Sequence, residues 1–217
     1  MVAVFHREDQ DIDELLAPYS EELKVEPYIR FTRDEAIDYV RKNYTDYYSK
    51  SDDECWSAMA SDYDYNVDDE GNIYSTYNPK SKWDWYTIGG RFSGHCMPVD
   101  EDYVKDIDFS PNKDEYEYAI KWWQDNVEGD GRDLFYTRDY YTDRYGTKEK
   151  YAEQYASFST YAVVTPDGEW HAPGEMGWFG CSSETDEEFR DWYDHYKERF
   201  IDTADPDWIL TIVDCHI

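Results

Sequence analysis

The residues with the clearest capacity for chemistry lie between positions 82 and 94, where Arg91 directly follows Gly89 and Gly90. The guanidinium of an arginine is a planar set of donors that fits a phosphate or a carboxylate. Adjacent glycines let the backbone turn sharply or pass close to another group. Arg91 is therefore either the anion-binding group of a ligand site or a structural residue, buried against a carboxylate and stacked on an indole. We favour the structural interpretation and expect Arg91→Ala to destabilise the fold by about 3 kcal/mol.

A ligand pocket around this stretch is a second hypothesis. Its aromatic and polar side chains would come from separate segments, and an aromatic cage of this kind suits a purine or a cation. Ordinary core packing of the same aromatic residues is the competing interpretation. The members of this pocket would be Trp83, Trp85, Tyr86, Arg91, Glu175, Trp178 and His216.

His216 raises the question of catalysis, because Asp214 lies two positions before it. A histidine beside a carboxylate can act as a general base. No serine or cysteine stands beside them in a recognisable nucleophile context. We therefore assign no catalytic residue and expect a protein that is not an enzyme.

Two His/Cys pairs together supply the four ligands that a zinc site needs. The pair His95 and Cys96 and the pair Cys215 and His216 together hold four side chains of the type that binds zinc. Adjacent residues on a strand point to opposite faces, so each pair presents one ligand more naturally than two. We expect no metal and no cofactor.

The acidic segment 62–71 begins with the spacing of an EF-hand calcium loop. Val67, however, occupies the glycine position of that loop, and Ile73 stands where its bidentate glutamate belongs. A hairpin with its turn at 69–72 is the better interpretation.

Net charge is the strongest signal in the composition, with 51 acidic against 21 basic residues and −30 at pH 7. Such a field repels nucleic acid and anionic membranes and attracts basic surfaces. Three interpretations stay open: solubility in a chain with few aliphatic residues, adaptation to high salt, or occupation of a basic groove built for DNA or RNA. In the last case the partner surface would include Asp62, Asp64, Asp68, Asp69, Glu70, Asp100, Glu101 and Asp102.

Motifs spread over nearly the whole chain resemble a family of mostly uncharacterised proteins from tailed bacteriophages and prophages. The shared segments lie at 83–94, with Trp-Asp-Trp-Tyr and Gly-Gly-Arg, at 174–180, with Gly-Glu-Met-Gly-Trp-Phe-Gly, and at 214–217, with Asp-Cys-His-Ile. The sequence departs from the family at Phe92, where tryptophan is expected, and after Gly94, where apolar residues are expected. The resemblance carries no activity. It implies phage origin and action inside a bacterial cell.

The elements around these motifs predict an α+β fold, with an antiparallel or mixed sheet and helices mainly on one face. Capping-box sequences predict helix starts at Thr32 and Thr185, and the apolar run 208–213 predicts a central strand. A helix capped at Ser110 and a tyrosine-rich connector at 129–146 are expected between them. We expect a single acidic domain over 1–217, with a small mobile lobe around 100–158.

Together these observations predict a phage-encoded protein of the host cytoplasm that binds and inhibits a host protein. The expected partner has a basic surface and is a nucleic-acid-handling defence protein, engaged by nucleic-acid mimicry. We expect no direct nucleic-acid binding. We also expect no membrane association, since no apolar run approaches the roughly 18 residues that span a bilayer. A homo-oligomer stays open.

Overall fold

The computed structural model describes residues 1–62, 66–94, 100–177 and 181–216. The chain forms two compact units. The first comprises Met1–Pro18 and Lys82–Ile217, and the second comprises Tyr19–Ser81. The range 100–158, expected to form a small lobe, belongs to the first unit.

The strands are short except for the last. In chain order they are β1 Val2–His6, β2 Tyr28–Phe31, β3 Asn66–Val67, β4 Ile73–Ser75, β5 Trp85–Ile88, β6 Glu101–Tyr103, β7 Ala162–Val164, β8 Trp170–His171 and β9 Ile209–His216.

The helices alternate irregularly with these strands. They are α1 Ile12–Leu16, α2 Arg33–Asn43, α3 Asp52–Asp62, α4 Lys113–Asn126, α5 Arg138–Tyr145, α6 Lys148–Ala156 and α7 Asp186–Tyr196, which continues into a π-helical turn at Lys197–Ile201. Across the described ranges, none of the helices is at once long and apolar enough to cross a membrane.

A mixed six-stranded sheet forms the centre of the first unit, in the order β5-β9-β1-β7-β8, with β6 also paired to β9. Strand β1 runs parallel to β7 and antiparallel to β9. Strand β9 has neighbours on both sides, as its continuous apolar run predicted. The expected α+β class with a mixed sheet is confirmed.

The two faces of this sheet carry separate cores, because side chains alternate along each strand. On one face Phe5 and Ile212 pack with Trp192 and Tyr196 of α7. On the other face Val4 and its neighbours pack with the short helix α1. The helix on this second face has only five residues, and side chains such as Trp83 and Trp170 also pack against the core there.

Helices α4, α5 and α6 form a further cluster in the first unit, around Trp123, Val127 and Tyr141. Helix α5 lies inside the range 129–146, so the expected connector was wrong. Thr137 caps this helix by accepting a hydrogen bond from the Tyr140 amide. The expected cap at Ser110 was also wrong, since Asn112 caps α4.

The second unit combines α2 and α3 with an antiparallel three-stranded sheet of order β2-β4-β3. The predicted capping box is present, since Thr32 accepts from the Glu35 amide and Glu35 accepts from the Thr32 amide. The predicted hairpin is also present, as β3 and β4. Ile37, Val40 and the buried Ile73 lie in the core of the second unit.

Candidate functional site

Strand β5 carries the aromatic stretch along the edge of the six-stranded sheet. Its register sets Trp85 opposite His216 and Tyr86 opposite Cys215 on β9. Because side chains alternate, Trp85 and Tyr86 occupy opposite faces. Tyr86 packs edge-on against Trp83, with ring centroids 5.1 Å apart, beside the α1 face of the core.

Arg91 pairs with Asp214 of β9. Its Nε donates to Oδ2 at 2.8 Å, its Nη2 donates to Oδ1 at 2.6 Å, and its backbone amide donates to Oδ2 at 2.9 Å. The Asp214 side chain is 5% exposed, whereas that of Arg91 is 69% exposed. The expected carboxylate partner is confirmed, but the expectation that Arg91 itself is buried was wrong. The ring near its guanidinium is Phe92, at 5.5 Å, rather than an indole.

The two glycines before Arg91 make this pairing possible. Gly90 has φ of +57°, and a Cβ there would lie 2.6 Å from the Asp214 Cβ. Gly89 has φ of +67°, and a Cβ there would lie 2.4 Å from the Asp100 carboxylate. Only glycine fits both the left-handed backbone and these close approaches. The hydrogen bonds from Arg91 hold the pKa of Asp214 below its ordinary value, although burial opposes the shift.

His216 forms a second contact on the same face of the sheet. Its Nδ1 lies 3.0 Å from Asp84 Oδ1, and its ring stacks on Trp85 with centroids 5.1 Å apart and planes 15° apart. Partial burial would raise the pKa of Asp84, but the hydrogen bonds of His216 and of the Trp85 amide lower it. The pair of His216 and Asp84 is half-exposed, and among the described residues no serine, threonine or cysteine side chain hydrogen-bonds to it.

The remaining members of the expected pocket lie elsewhere. Glu175 pairs with Lys82, and Trp178 lies outside the described residues. The structure therefore brings Trp85 to His216 and Trp83 to Tyr86, and it pairs Nε and Nη2 of Arg91 with Asp214.

The acidic residues that were expected on the partner surface have different roles in the structure. Asp68 orders the β3–β4 turn by accepting from the Glu70 and Asn72 amides, each at 2.9 Å, and the hydrogen bonds from Asn72 and Glu70 lower its pKa against the effect of burial. Asp100 orders the loop after Arg91 by accepting from Ser93 Oγ at 2.8 Å. Asp69 and Glu70 are exposed on the hairpin turn, and Asp102 is half-buried. Asp64 and the side chain of Asp62 lie outside the described residues.

An open cavity of 490 Å³ lies on the sheet face that α1 only partly covers. Its lining includes Tyr86, which was expected in the ligand pocket, and Glu101, which was expected on the acidic partner surface. The other lining residues come mainly from the segment between β1 and α1. The lining residues are His6, Glu8, Asp9, Gln10, Asp11, Ile12, Asp13, Tyr86, Ile88 and Glu101.

A hydrogen-bonded chain crosses the sheet beside this cavity. The Thr211 hydroxyl donates to Glu101 Oε2 at 3.0 Å. Since that hydroxyl has a single proton, it accepts from His6 Nε2, also at 3.0 Å. The other ring nitrogen of His6 lies 3.1 Å from the Arg7 carbonyl oxygen. Both ring nitrogens of this buried histidine therefore lie within hydrogen-bond distance of an oxygen.

The lining of the cavity is suited to a cationic group. Among the residues that the structure describes, it includes five carboxylates and no lysine or arginine. Asp13 accepts a hydrogen bond from the Tyr86 hydroxyl, which fixes that carboxylate at the rim. Ile12 and Ile88 give the cavity an apolar wall, against which the methylene stem of a lysine or arginine can lie.

No group of His, Cys, Asp and Glu side chains with the spacing of a metal site was found among the described residues. His216 and Cys215 occupy opposite faces of β9, and burial raises the pKa of the Cys215 thiol to about 12. His95 and Cys96 lie outside the described residues.

These observations define an acidic α+β protein with a cation-suited cavity at one sheet edge. Comparison with protein-family models, with curated proteins and with solved structures gave no match.

Proposed function

We propose that this chain is a phage-encoded binding protein that acts in the host cytoplasm and inhibits a host protein with a basic surface. The proposed target is a nucleic-acid-handling defence protein, whose basic groove the acidic chain occupies. The protein itself binds neither nucleic acid nor membrane. The observation that carries the proposal is the cavity whose described lining holds five carboxylates and neither lysine nor arginine.

The distribution of ion pairs supports an outward-facing negative field. Most of the lysine and arginine side chains already contact a carboxylate of this chain. Since acidic residues number 51 against 21 basic ones, a large excess of carboxylates is left uncompensated. Fields of this kind accelerate association with an oppositely charged surface and weaken as salt is added.

The resemblance to tailed-phage proteins supports the cellular setting. It supplies no activity, so the inhibitory role depends on the charge and on the cavity. A ligand pocket around Arg91 is not proposed, because Asp214 takes the Nε and Nη2 donors of Arg91 and Glu175 pairs with Lys82 instead.

The test is retention of proteins from a bacterial host lysate on the immobilised chain, at low and at moderate salt. The cavity variant combines Asp11→Asn, Asp13→Asn and Glu101→Gln. These amides keep the shape of each side chain, and asparagine remains a good helix N-cap at position 11.

A matched control removes the same charge from an exposed segment of the second unit, as Glu21→Gln, Glu22→Gln and Glu26→Gln. We expect wild type and control to retain a basic protein at low salt, and the cavity variant to lose it. Retention of no partner by the wild type at either salt concentration would count against the proposal. Equal retention by both variants would show that the cavity is not the surface that binds the partner.

A further inference from the structure

Strand β5 forms an open edge of the six-stranded sheet. Within the part of the chain that the structure describes, β5 pairs with β9 and with no other strand. The Gly89 amide donates to the Ile212 carbonyl at 2.8 Å. Backbone groups alternate in an antiparallel ladder, so Thr87 faces β9, whereas Tyr86 and Ile88 direct their amides and carbonyls outward.

The other edges among the described strands are blunted in ways that β5 is not. Strands β3 and β8 have only two residues each. Strand β2 carries Arg30 and a register shift between Ile29 and Phe31. Strand β6 contains two acidic residues.

Strand β5, in contrast, has four successive uncharged residues in regular register. Trp85 is 52% exposed and Ile88 is 47% exposed. Proteins commonly protect such edges with charges, bulges or very short strands, because an open edge is a template for another strand.

We infer that β5 receives an extended segment of the partner as an additional strand. This inference rests on the proposed function and specifies how the partner binds. The added strand would place alternate side chains beside Tyr86 and Ile88, on the face that holds the acidic cavity. The carboxylates of Asp13 and Glu101 lie on that face, so the matching segment carries lysine or arginine at those alternate positions.

Charge also decides between this occupant and a second copy of the chain. A copy would bring another −30 of net charge to the same edge. The repulsion between two such surfaces opposes β5 pairing with itself, whereas a basic strand is attracted.

The test uses two synthetic peptides on the intact protein. One alternates lysine with valine, and the other has the same sequence but is N-methylated at the amides that face the edge. Both carry the same charge, and only the first can donate hydrogen bonds to β5. We expect the unmodified peptide to bind about tenfold more tightly, as the loss of one or two hydrogen bonds implies. Amide exchange at Tyr86 and Ile88 should slow when it binds.

Two variants of one residue provide the matched comparison. Ile88→Pro removes an outward amide, whereas Ile88→Thr keeps that amide and a β-branched side chain. Both variants remove the isoleucine side chain from the cavity wall, so the comparison between them isolates the amide. Affinity for the unmodified peptide should be about tenfold lower in Ile88→Pro than in Ile88→Thr. Should Ile88→Pro fail to fold, amide exchange at Tyr86 and Ile88 of the wild type still shows whether the peptide pairs with β5.

Equal affinity for the two peptides, with unchanged exchange at Tyr86 and Ile88, would overturn the edge inference and leave the charge-based function standing. Binding of neither peptide would also overturn it, and the lysate experiment would then decide the proposed function separately. Self-association of the chain that disappears in Ile88→Pro would assign the edge to a second copy instead.

Discussion

Replacing Arg91 by alanine removes the charged partner of a buried carboxylate. Asp214 loses two charge-assisted hydrogen bonds, from Nε at 2.8 Å and from Nη2 at 2.6 Å, and keeps only the backbone amide. Breaking a fully buried ion pair costs roughly 3–5 kcal/mol. The Arg91 side chain is 69% exposed, so solvent already screens this pair and water can replace the guanidinium. We therefore expect a loss of about 2 kcal/mol in the free energy of unfolding, below the value expected from sequence.

The loss should depend on pH in a definite direction. The pKa of Asp214 is lowered in the folded protein from its ordinary value of 3.8, with the hydrogen bond from Arg91 as the main cause. A depressed folded pKa stabilises the fold at pH values above the unfolded pKa, and this stabilisation is lost as pH falls through the folded pKa. The difference between wild type and Arg91→Ala should therefore be fully present at neutral pH and should shrink in acid below about 3.8.

Urea unfolding followed by tryptophan fluorescence, at neutral pH and through the acid range, measures this difference. Arg199→Ala is the matched control, since Arg199 pairs at 2.7 Å with Asp191, whose side chain is 51% exposed. The control should change stability by less than about 1 kcal/mol. A loss for Arg91→Ala equal to that of the control, or one independent of pH, would show that Arg91 does not stabilise the buried Asp214 carboxylate.

Two further predictions test the packing around β9. Gly90→Ala should destabilise the fold by more than about 2 kcal/mol in urea unfolding, because it combines a left-handed backbone with a clash against Asp214. Gly94→Ala, with φ of +69° and no atom of the described residues within 4 Å of its Cβ, should cost only about 1 kcal/mol; equal losses would contradict the clash. Alkylation at mildly alkaline pH, read by peptide mass mapping, should modify the exposed Cys181 and spare Cys215, whose pKa burial raises to about 12. Modification of Cys215 at a similar rate would show that this thiol is accessible.

Local signals in the sequence were sufficient for the elements with strong caps or strong apolar patterns. The capping boxes at Thr32 and Thr185 are both present in the structure. The apolar run before Asp214 is part of β9, which has strands on both sides. In these cases the determining interactions lie within a few residues of each other, so periodicity and capping chemistry are enough.

Helix α5 could not be recognised in the same way. Its sequence is rich in tyrosine and charge and has no apolar periodicity. Its stability comes from contacts between Tyr141 and residues of other helices, including Trp122. Tertiary packing of this kind overrides weak local preference, and sequence patterns do not record it.

Only part of the candidate site could be predicted from the sequence. The excess of acidic residues made a carboxylate partner for Arg91 predictable. The exposure of the Arg91 side chain was not predictable, because it depends on the position of Asp214 near the end of β9. The cavity was missed because His6 and Asp13 are separated by about a hundred residues from Glu101 and meet it only through the β1–β9–β6 pairing. The one local signal was the acidic segment between the first strand and the first helix.

Titration of the labelled protein with a short lysine-rich peptide, followed by NMR, tests the central claim most directly. We expect the largest chemical-shift changes at Asp11, Asp13, Tyr86 and Glu101, and we expect moderate salt to weaken binding. The cavity variant should bind at least about tenfold more weakly than the control variant of equal charge. Equal binding by the two variants, with shifts spread over the whole acidic surface, would show that the cavity is not the binding site.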